Sequence, residues 1–286
     1  MNCVLCGASR VTKMFSLENS GIMKCRDCGF MFRDPYRGCI AGKCAACPDR
    51  CIDKILDPQF LEARLRVDDR RAERIKTLAG KDLSTLKVLE LGTGLGCLAS
   101  RLSVSAGDYL GTEPSAIFQA LQLDNFKGLA GKILNTILPG AEYEDYFDLL
   151  IAVDVLQFAE RPLEFIREAE RYLAPGGLIY LEVPDESSLR LRAVMRKNLG
   201  LYRGEPVHHG HINFFTPAVL RPLLERAGLK IELLAPLSIV GDEDRLFLTI
   251  KKRLPFYIKT LSFLARATKA DLPLSLGNTV CLCSKR

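Results

Sequence analysis

Three groups of residues in this chain carry chemistry in their types and spacing. The first is a set of cysteines, because eight of the eleven lie within the first 51 residues. Cys3 with Cys6, and Cys25 with Cys28, form two Cys-x-x-Cys-Gly knuckles with 18 residues between them. Four thiolates so arranged can converge tetrahedrally on zinc, and Gly7 and Gly29 permit the tight turn that each knuckle needs. Such a site leaves no open coordination position, so the ion is structural and not catalytic. A disulfide framework is the alternative, which a chain reading as cytoplasmic disfavours. Cys39, Cys44, Cys47 and Cys51 follow with the spacing C-x4-C-x2-C-x3-C. A second zinc is the first reading there, with an iron–sulfur cluster or a loop of free thiols as the others. Cys97, Cys281 and Cys283 read as small buried apolar residues.

The second group lies around residues 88–96, Val-Leu-Glu-Leu-Gly-Thr-Gly-Leu-Gly, which read as a buried strand entering a glycine turn and then a helix. Gly92, Gly94 and Gly96 let the backbone bend sharply and approach a ligand closely. The third glycine falls one residue short of the dinucleotide fingerprint, whose position is held by Cys97, and this argues against NAD and FAD. Glu90 would place a carboxylate at the strand mouth, suited to an ammonium or to hydroxyls. Glu113, 23 residues further on, ends a second strand with Pro114 after it, where open α/β sheets hold ribose hydroxyls. Asp154 ends a later strand as a ligand contact or a helix N-cap. The third group is the three histidines, all within four positions: His208, His209 and His211, in a loop before a helix that starts at Thr216 and Pro217. An imidazole there suits proton transfer near neutral pH, whereas packing or capping is the structural alternative.

The elements that must position these groups alternate between apolar runs and helical segments, as a doubly wound α/β sheet requires. Residues 57–81 read as one or two amphipathic helices, with Phe60, Leu61, Leu65, Ile75 and Leu78 at helical spacing and Gly80 as the stop. Arg64, Arg66, Arg70, Arg71 and Arg74 in that stretch suggest a solvated, salt-bridged face, or one that touches RNA. A helix after residue 97, another from 114 to 123, a short third strand near 131–134, and a helix from Pro162 to Leu173 follow. Residues 175–177 then turn into a fifth strand, and residues 279–283 alternate as a final edge strand. Three segments result: a cysteine-rich module (1–56), a helical linker (57–81) and a ligand-binding domain (82–286). Apolar residues form 48% of the chain, no run is long enough to span a membrane and the N-terminus lacks a signal-peptide pattern, so a cytoplasmic protein is expected. The net charge of +6 permits an acidic small molecule or RNA without demanding either. The basic, apolar stretch 246–269 reads as packed on the domain or covering the site.

Residues 88–96 resemble motif I of the class I S-adenosylmethionine-dependent methyltransferases. The acidic end at Glu113, the strands near 146–156 and 173–181 and their order extend the resemblance over roughly residues 60–286. It implies a Rossmann-like seven-stranded sheet binding S-adenosylmethionine through Glu90, Gly92, Thr93, Gly94, Gly96, Glu113, Pro114 and Asp154, with Asn135 on the adenine side. Residues 154–158 stand where relatives carry Asp-Val-Leu-Glu-His, with Gln157 and Phe158 in place of the last two. The N-terminal knuckles, with the phrase Cys-Gly-Phe-Met-Phe-Arg-Asp-Pro at 28–35, resemble the zinc ribbon that opens many class I methyltransferases of polysaccharide and secondary-metabolite pathways. In that group a His-x-x-aromatic-aromatic phrase lies beside the substrate, matched here by His211, Phe214 and Phe215, with Gly210 where sugar C-methyltransferases have Glu. The resemblance implies a small hydroxyl-rich acceptor, such as a nucleotide-linked sugar. RNA modification, or a non-catalytic interaction protein on the same fold, are the alternatives.

Overall fold

The computed structural model describes residues 1–17, 20–34, 57–187, 189, 207, 210–237 and 278–285. The expectations for Cys39, Cys44, Cys47, Cys51, His208, His209 and residues 246–269 lie outside the described residues.

The chain opens with three antiparallel strands, β1 (Val11–Ser16), β2 (Gly21–Cys25) and β3 (Met31–Asp34). A single helix, α1 (Pro58–Ala79), comes next. Asp57 caps it by accepting the Gln59 N–H at 2.9 Å, Pro58 occupies the first turn, and Gly80 stops it at φ 65°. Then come β4 (Lys87–Leu91), α2 (Cys97–Ser105), β5 (Asp108–Thr112), α3 (Ala116–Asn125), β6 (Ile133–Leu134), β7 (Phe147–Val153), α4 (Pro162–Glu170), β8 (Leu173–Pro184), β9 (Asn213–Phe214), α5 (Pro217–Arg226), β10 (Lys230–Pro236) and β11 (Asn278–Ser284).

Seven of these strands form one sheet in the order β10-β11-β8-β7-β4-β5-β6, parallel from β8 to β6. The expected edge strand at 279–283 is instead internal: β11 runs antiparallel between β8 and β10. Val280, Cys281 and Cys283 are fully buried there, so both faces of the strand are covered. The helix expected to reach Leu173 ends at Glu170, because Leu173 already pairs with Phe147. Residues 175–177 lie inside β8 as a bulge, with register passing from Phe147↔Leu173 to Leu149↔Leu178.

The two-residue period of the central strands sorts their side chains onto two cores. Leu89, Leu91, Leu150, Ala152, Ile179, Leu181 and Val183 pack with α4 and α5. Val88, Leu149, Ile151 and Tyr180 pack with Ile75 and Ala79 of α1 and Leu98, Ala99 and Leu102 of α2. By the same alternation Glu90 and Glu182 face the α1 side, which places two carboxylates inside an otherwise apolar layer.

Arg71 and Arg74 answer those charges and overturn the expectation of a wholly solvated arginine face, since both are buried. Arg71 donates from Nε and Nη2 to the two oxygens of Glu182, at 2.9 and 2.7 Å. Arg74 donates from Nη2 to Glu182 at 3.1 Å and from Nε to the Tyr180 hydroxyl at 3.0 Å. Tyr180 and Asn278 donate to Glu182 as well, at 2.9 and 2.8 Å. Burial alone would raise the Glu182 carboxyl, but the two guanidiniums outweigh it and hold it well below the usual carboxylate range. Asp68, also buried, accepts from both Arg64 and Arg71.

Candidate functional site

The glycine turn at the C-terminal end of β4 is held from three sides. The N–H groups of Gly92 and Thr93 both donate to the Thr112 carbonyl, at 2.8 and 3.0 Å. Buried Gln122 of α3 donates to the Thr93 hydroxyl at 2.8 Å and to the Gly94 carbonyl at 2.5 Å. Gly92, Gly94 and Gly96 all have left-handed φ, of 70°, 55° and 78°. At Gly92 a Cβ would stand 2.7 Å from Val155, and at Gly96 2.8 Å from Gln122, whereas at Gly94 it would point into open space. Two of the glycines are therefore required by the fold, and the middle one leaves room for a ligand against bare backbone.

Glu113 sits beside that opening. Its Oε2 accepts the Gly94 N–H at 2.8 Å and its Oε1 the Ser115 N–H at 2.9 Å, while Ser115 caps α3 through the Phe118 N–H. Only 4% of Glu113 is exposed, and burial raises its carboxyl against the pull of the two N–H donors. Each oxygen keeps a lone pair for a hydroxyl donor. Pro114 is exposed next to it, and exposed Asn135 donates to the Glu113 main-chain carbonyl at 2.9 Å.

Asp154, just past β7, is one of two non-glycine residues among those described with positive φ, at 55°. Left-handed backbone at a strand end is a local strain that recurs at ligand sites. Its N–H donates to the Glu182 carbonyl at 2.9 Å, but its carboxylate has no hydrogen-bond partner among the described residues. The N-cap alternative drops out, since the 3-10 turn of Leu156–Phe158 begins at Val155 with no side-chain cap. Burial, reinforced by the charge of Glu182, pushes the Asp154 carboxyl up to about 6.

Glu90 lies near the end of β4, two residues before Gly92. It is 3% exposed, accepts the Tyr109 hydroxyl at 2.7 Å, and burial carries its carboxyl up to about 8 despite that bond.

The loop bearing His211 is fastened on three sides. Ile212 donates to the Gln157 carbonyl at 3.0 Å, and buried Asn213 donates from Nδ2 to the Ala159 carbonyl at 2.5 Å. Phe215 forms a parallel bridge with Asp185, and its carbonyl accepts the Glu186 N–H at 2.8 Å. Asn213 and Phe214 form β9, which adds a fourth strand to the N-terminal sheet beside β3. His211 is thereby set edge-on against Phe158, with ring centroids 5.3 Å apart. In the same turn as Asp154, the buried Oε1 of Gln157 has no hydrogen-bond partner among the described residues.

Cys3, Cys6, Cys25 and Cys28 converge, with all four Sγ atoms within 4.8 Å of one another. Cys3–Cys28 and Cys6–Cys25 are 3.7 and 3.6 Å apart. A disulfide needs about 2.05 Å, whereas the edge of a tetrahedron with Zn–S bonds of about 2.3 Å is about 3.8 Å. Burial would raise the Cys25 thiol, but the N–H groups of Cys28 and Asp27 outweigh it and bring it down to about 7, whereas burial holds the Cys3 and Cys28 thiols above their ordinary value.

Sequence reasoning missed the buried lock of Asp68, Arg71, Arg74, Tyr180 and Glu182, and the roles of Gln122 and Asn213 as fasteners. One signal was present for the lock: Glu182 interrupts an apolar strand, and a buried charge of that kind demands an opposite partner. Arg71 and Arg74, three apart on the face that carries Ile75, were available to supply it.

Comparison with known proteins fits this geometry. Residues 63–234 match the family described as Methyltransferase domain. The chain belongs to that family, on the Rossmann-like seven-stranded fold of its class I members. It is 27% identical over 191 residues to the mitochondrial ubiquinone biosynthesis O-methyltransferase of Mus musculus, a match covering 60% of this chain and 50% of the relative. It is 30% identical over 128 residues to the tRNA U34 carboxymethyltransferase of Hydrogenovibrio crunogenus, covering 41% and 37%. The chain thus spans half or less of these two curated relatives. Among solved structures, the cyclase SpnF shares the fold with a TM-score of 0.52 at 19% identity, covering 78% of this chain and 81% of that one.

Proposed function

We propose that this chain is a class I S-adenosylmethionine-dependent methyltransferase acting on a small hydroxyl-bearing metabolite, with a nucleotide-linked sugar as the first acceptor class to try. The observation that carries the cofactor assignment is Glu113, anchored by two backbone N–H groups beside the open space at Gly94. S-adenosylmethionine, when bound, supplies an activated methyl group on its sulfonium sulfur. Glu113 would hold the ribose hydroxyls, and Gly92, Thr93, Gly94, Gly96 and Pro114 would shape the pocket. Asp154 would pair with the ammonium, with Glu90 supporting that end. The chain's remaining work is alignment and removal of one proton, which His211 would accept as the acceptor oxygen is methylated. Phe158, edge-on to His211, would wall that side of the pocket. Cys3, Cys6, Cys25 and Cys28 would hold a structural zinc, and a cytoplasmic location belongs to the same reading.

A specific observation weighs against an RNA acceptor gripped by the arginines of α1. Arg71 and Arg74 are buried on Glu182, while Arg64 pairs with Asp68 and Arg66 with Glu62. Among the relatives, the mouse protein's name specifies an O-methyltransferase and the bacterial one's a tRNA enzyme, so both acceptor classes enter the test. The experiment is incubation with methyl-labelled S-adenosylmethionine and separate pools of nucleotide sugars, phenols and bulk tRNA. Label in a small hydroxyl compound supports the proposal; label in tRNA alone overturns the acceptor assignment.

No helix among the described residues is long and apolar enough to cross a membrane.

A further inference from the structure

The N-terminal ribbon does not stand apart from the ligand-binding domain. Cys3, Leu5, Cys25, Phe30 and Phe32 belong to the same buried cluster as Phe215, Val219 and Leu220 of the domain. Phe30 packs on Phe215 with ring centroids 5.5 Å apart, and Phe214 packs with Ile22 and Met31. The connection is also a backbone one. Met31 pairs with Phe214 and Phe32 with Asn213, and the Arg33 N–H donates to the Ile212 carbonyl at 2.8 Å. The same three-residue stretch, Ile212 to Phe214, is tied on its other side to Gln157 and Ala159, which flank Phe158. One short strand therefore bridges the cysteine site and the turn that carries Phe158, with His211 at its start.

We propose that the ribbon edge strand β3 is the positioning element of the acceptor side of the site, so that metal held by Cys3, Cys6, Cys25 and Cys28 fixes the placement of His211 against Phe158. This rests on the methyltransferase reading above and adds a role for the ribbon. The physical reason is that β9 has two residues and cannot stay extended alone. Its ladder needs β3, and β3 follows directly from the Cys25–Cys28 knuckle, where the Cys25 N–H donates to the Phe30 carbonyl at 2.9 Å. Among the described residues no hydrogen bond joins the ribbon strands to the glycine turn, Glu113 or Asp154, so the effect falls on the acceptor side.

Arg33 offers a clean perturbation. Its N–H faces β9 and not β2, so Arg33→Pro deletes the bond to Ile212 without touching a β2–β3 bond or a cysteine, and Arg33→Ala controls for the lost side chain. The readouts are zinc content, hydrogen exchange of the peptide spanning 211–216, the ring C–H resonances of His211, and S-adenosylhomocysteine affinity. Expected for Arg33→Pro relative to Arg33→Ala are one retained zinc and at least tenfold faster exchange in 211–216. The His211 resonances should lose the displacement imposed by the edge-on Phe158 ring, and affinity should stay within threefold. Chelation of zinc from the unaltered chain should reproduce the exchange and resonance changes. Unchanged exchange and resonances in Arg33→Pro overturn the inference with the zinc reading intact. Uniformly faster exchange across β4 and β7 after chelation overturns it too, because the metal would then support the whole chain. A protein that never holds zinc refutes the zinc reading itself, and the metal half of this inference with it.

Discussion

Replacing Asp154 by Asn removes a charge and almost nothing else. Asn has the same shape and tolerates the left-handed backbone at φ 55°, and the main-chain bond to Glu182 survives. If Asp154 binds the cofactor's ammonium, the loss is that of a charge-assisted hydrogen bond, about 1.5–3 kcal/mol, or roughly 10- to 150-fold in affinity. The raised carboxyl adds a pH signature. With a value of about 6, Asp154 is ionised at pH 7.5 and about nine-tenths protonated at pH 5. The unaltered protein should lose roughly tenfold in affinity per pH unit below 6, down to the level of the variant, which should show no such limb. Stability should move the other way. The folded value lies above the ordinary 3.8, so the stability this group confers is present below 3.8 and lost as pH rises through 6. At pH 7.5 the variant should therefore melt no lower than the parent. Calorimetric titration with S-adenosylmethionine at pH 7.5 and 5, with melting curves alongside, tests this. Equal affinity at pH 7.5, or a pH limb that persists in the variant, would refute the reasoning.

Glu182→Leu removes the buried carboxylate to which Arg71 and Arg74 both donate, at a cost of about 3–5 kcal/mol, which should lower Tm by on the order of 10 °C; a change under about 2 °C contradicts the lock. Because the Glu182 value is depressed, its contribution is present above the ordinary 4.5 and lost as pH falls towards about 2, so the parent's urea midpoint should fall through that window and the variant's should fall less. Metal analysis of protein made without added zinc should give at least one equivalent, dropping by one in Cys28→Ser; under half an equivalent with freely titrating thiols would remove the zinc. His211→Ala should lower turnover by about 100-fold or more with cofactor affinity unchanged, and turnover within a few-fold of the parent would move the proton acceptor elsewhere.

The sheet was legible because its signals are local. Strands β4, β5, β7 and β8 are apolar runs ending at glycine, Glu113, Asp154 and Pro184, and α1 carries both of its stops in sequence. The four cysteines were legible because metal-site spacing is itself a short-range geometric constraint. What was not legible depends on pairings between distant residues. Arg71 and Glu182 are 111 residues apart, and only its place on the helix face of Ile75 distinguishes Arg71 from its solvated neighbour Arg66. The internal place of β11 is likewise a matter of topology, since an alternating run does not state which strand it will lie beside. The union of β3 with β9 is the hardest case: a two-residue strand has no periodicity to read, and only the assembled sheet reveals that the ribbon and the His211 loop share it.

The central claim is that Glu113 and the glycine turn form an S-adenosylmethionine site, and calorimetric titration of that molecule into the purified chain and into Glu113→Ala tests it most directly. The account predicts saturable binding of one equivalent by the unaltered chain and at least tenfold weaker binding by the variant, which loses hydrogen bonds from a buried carboxylate worth about 1.5–3 kcal/mol. No binding by the unaltered chain, or equal affinity in the two, would contradict it.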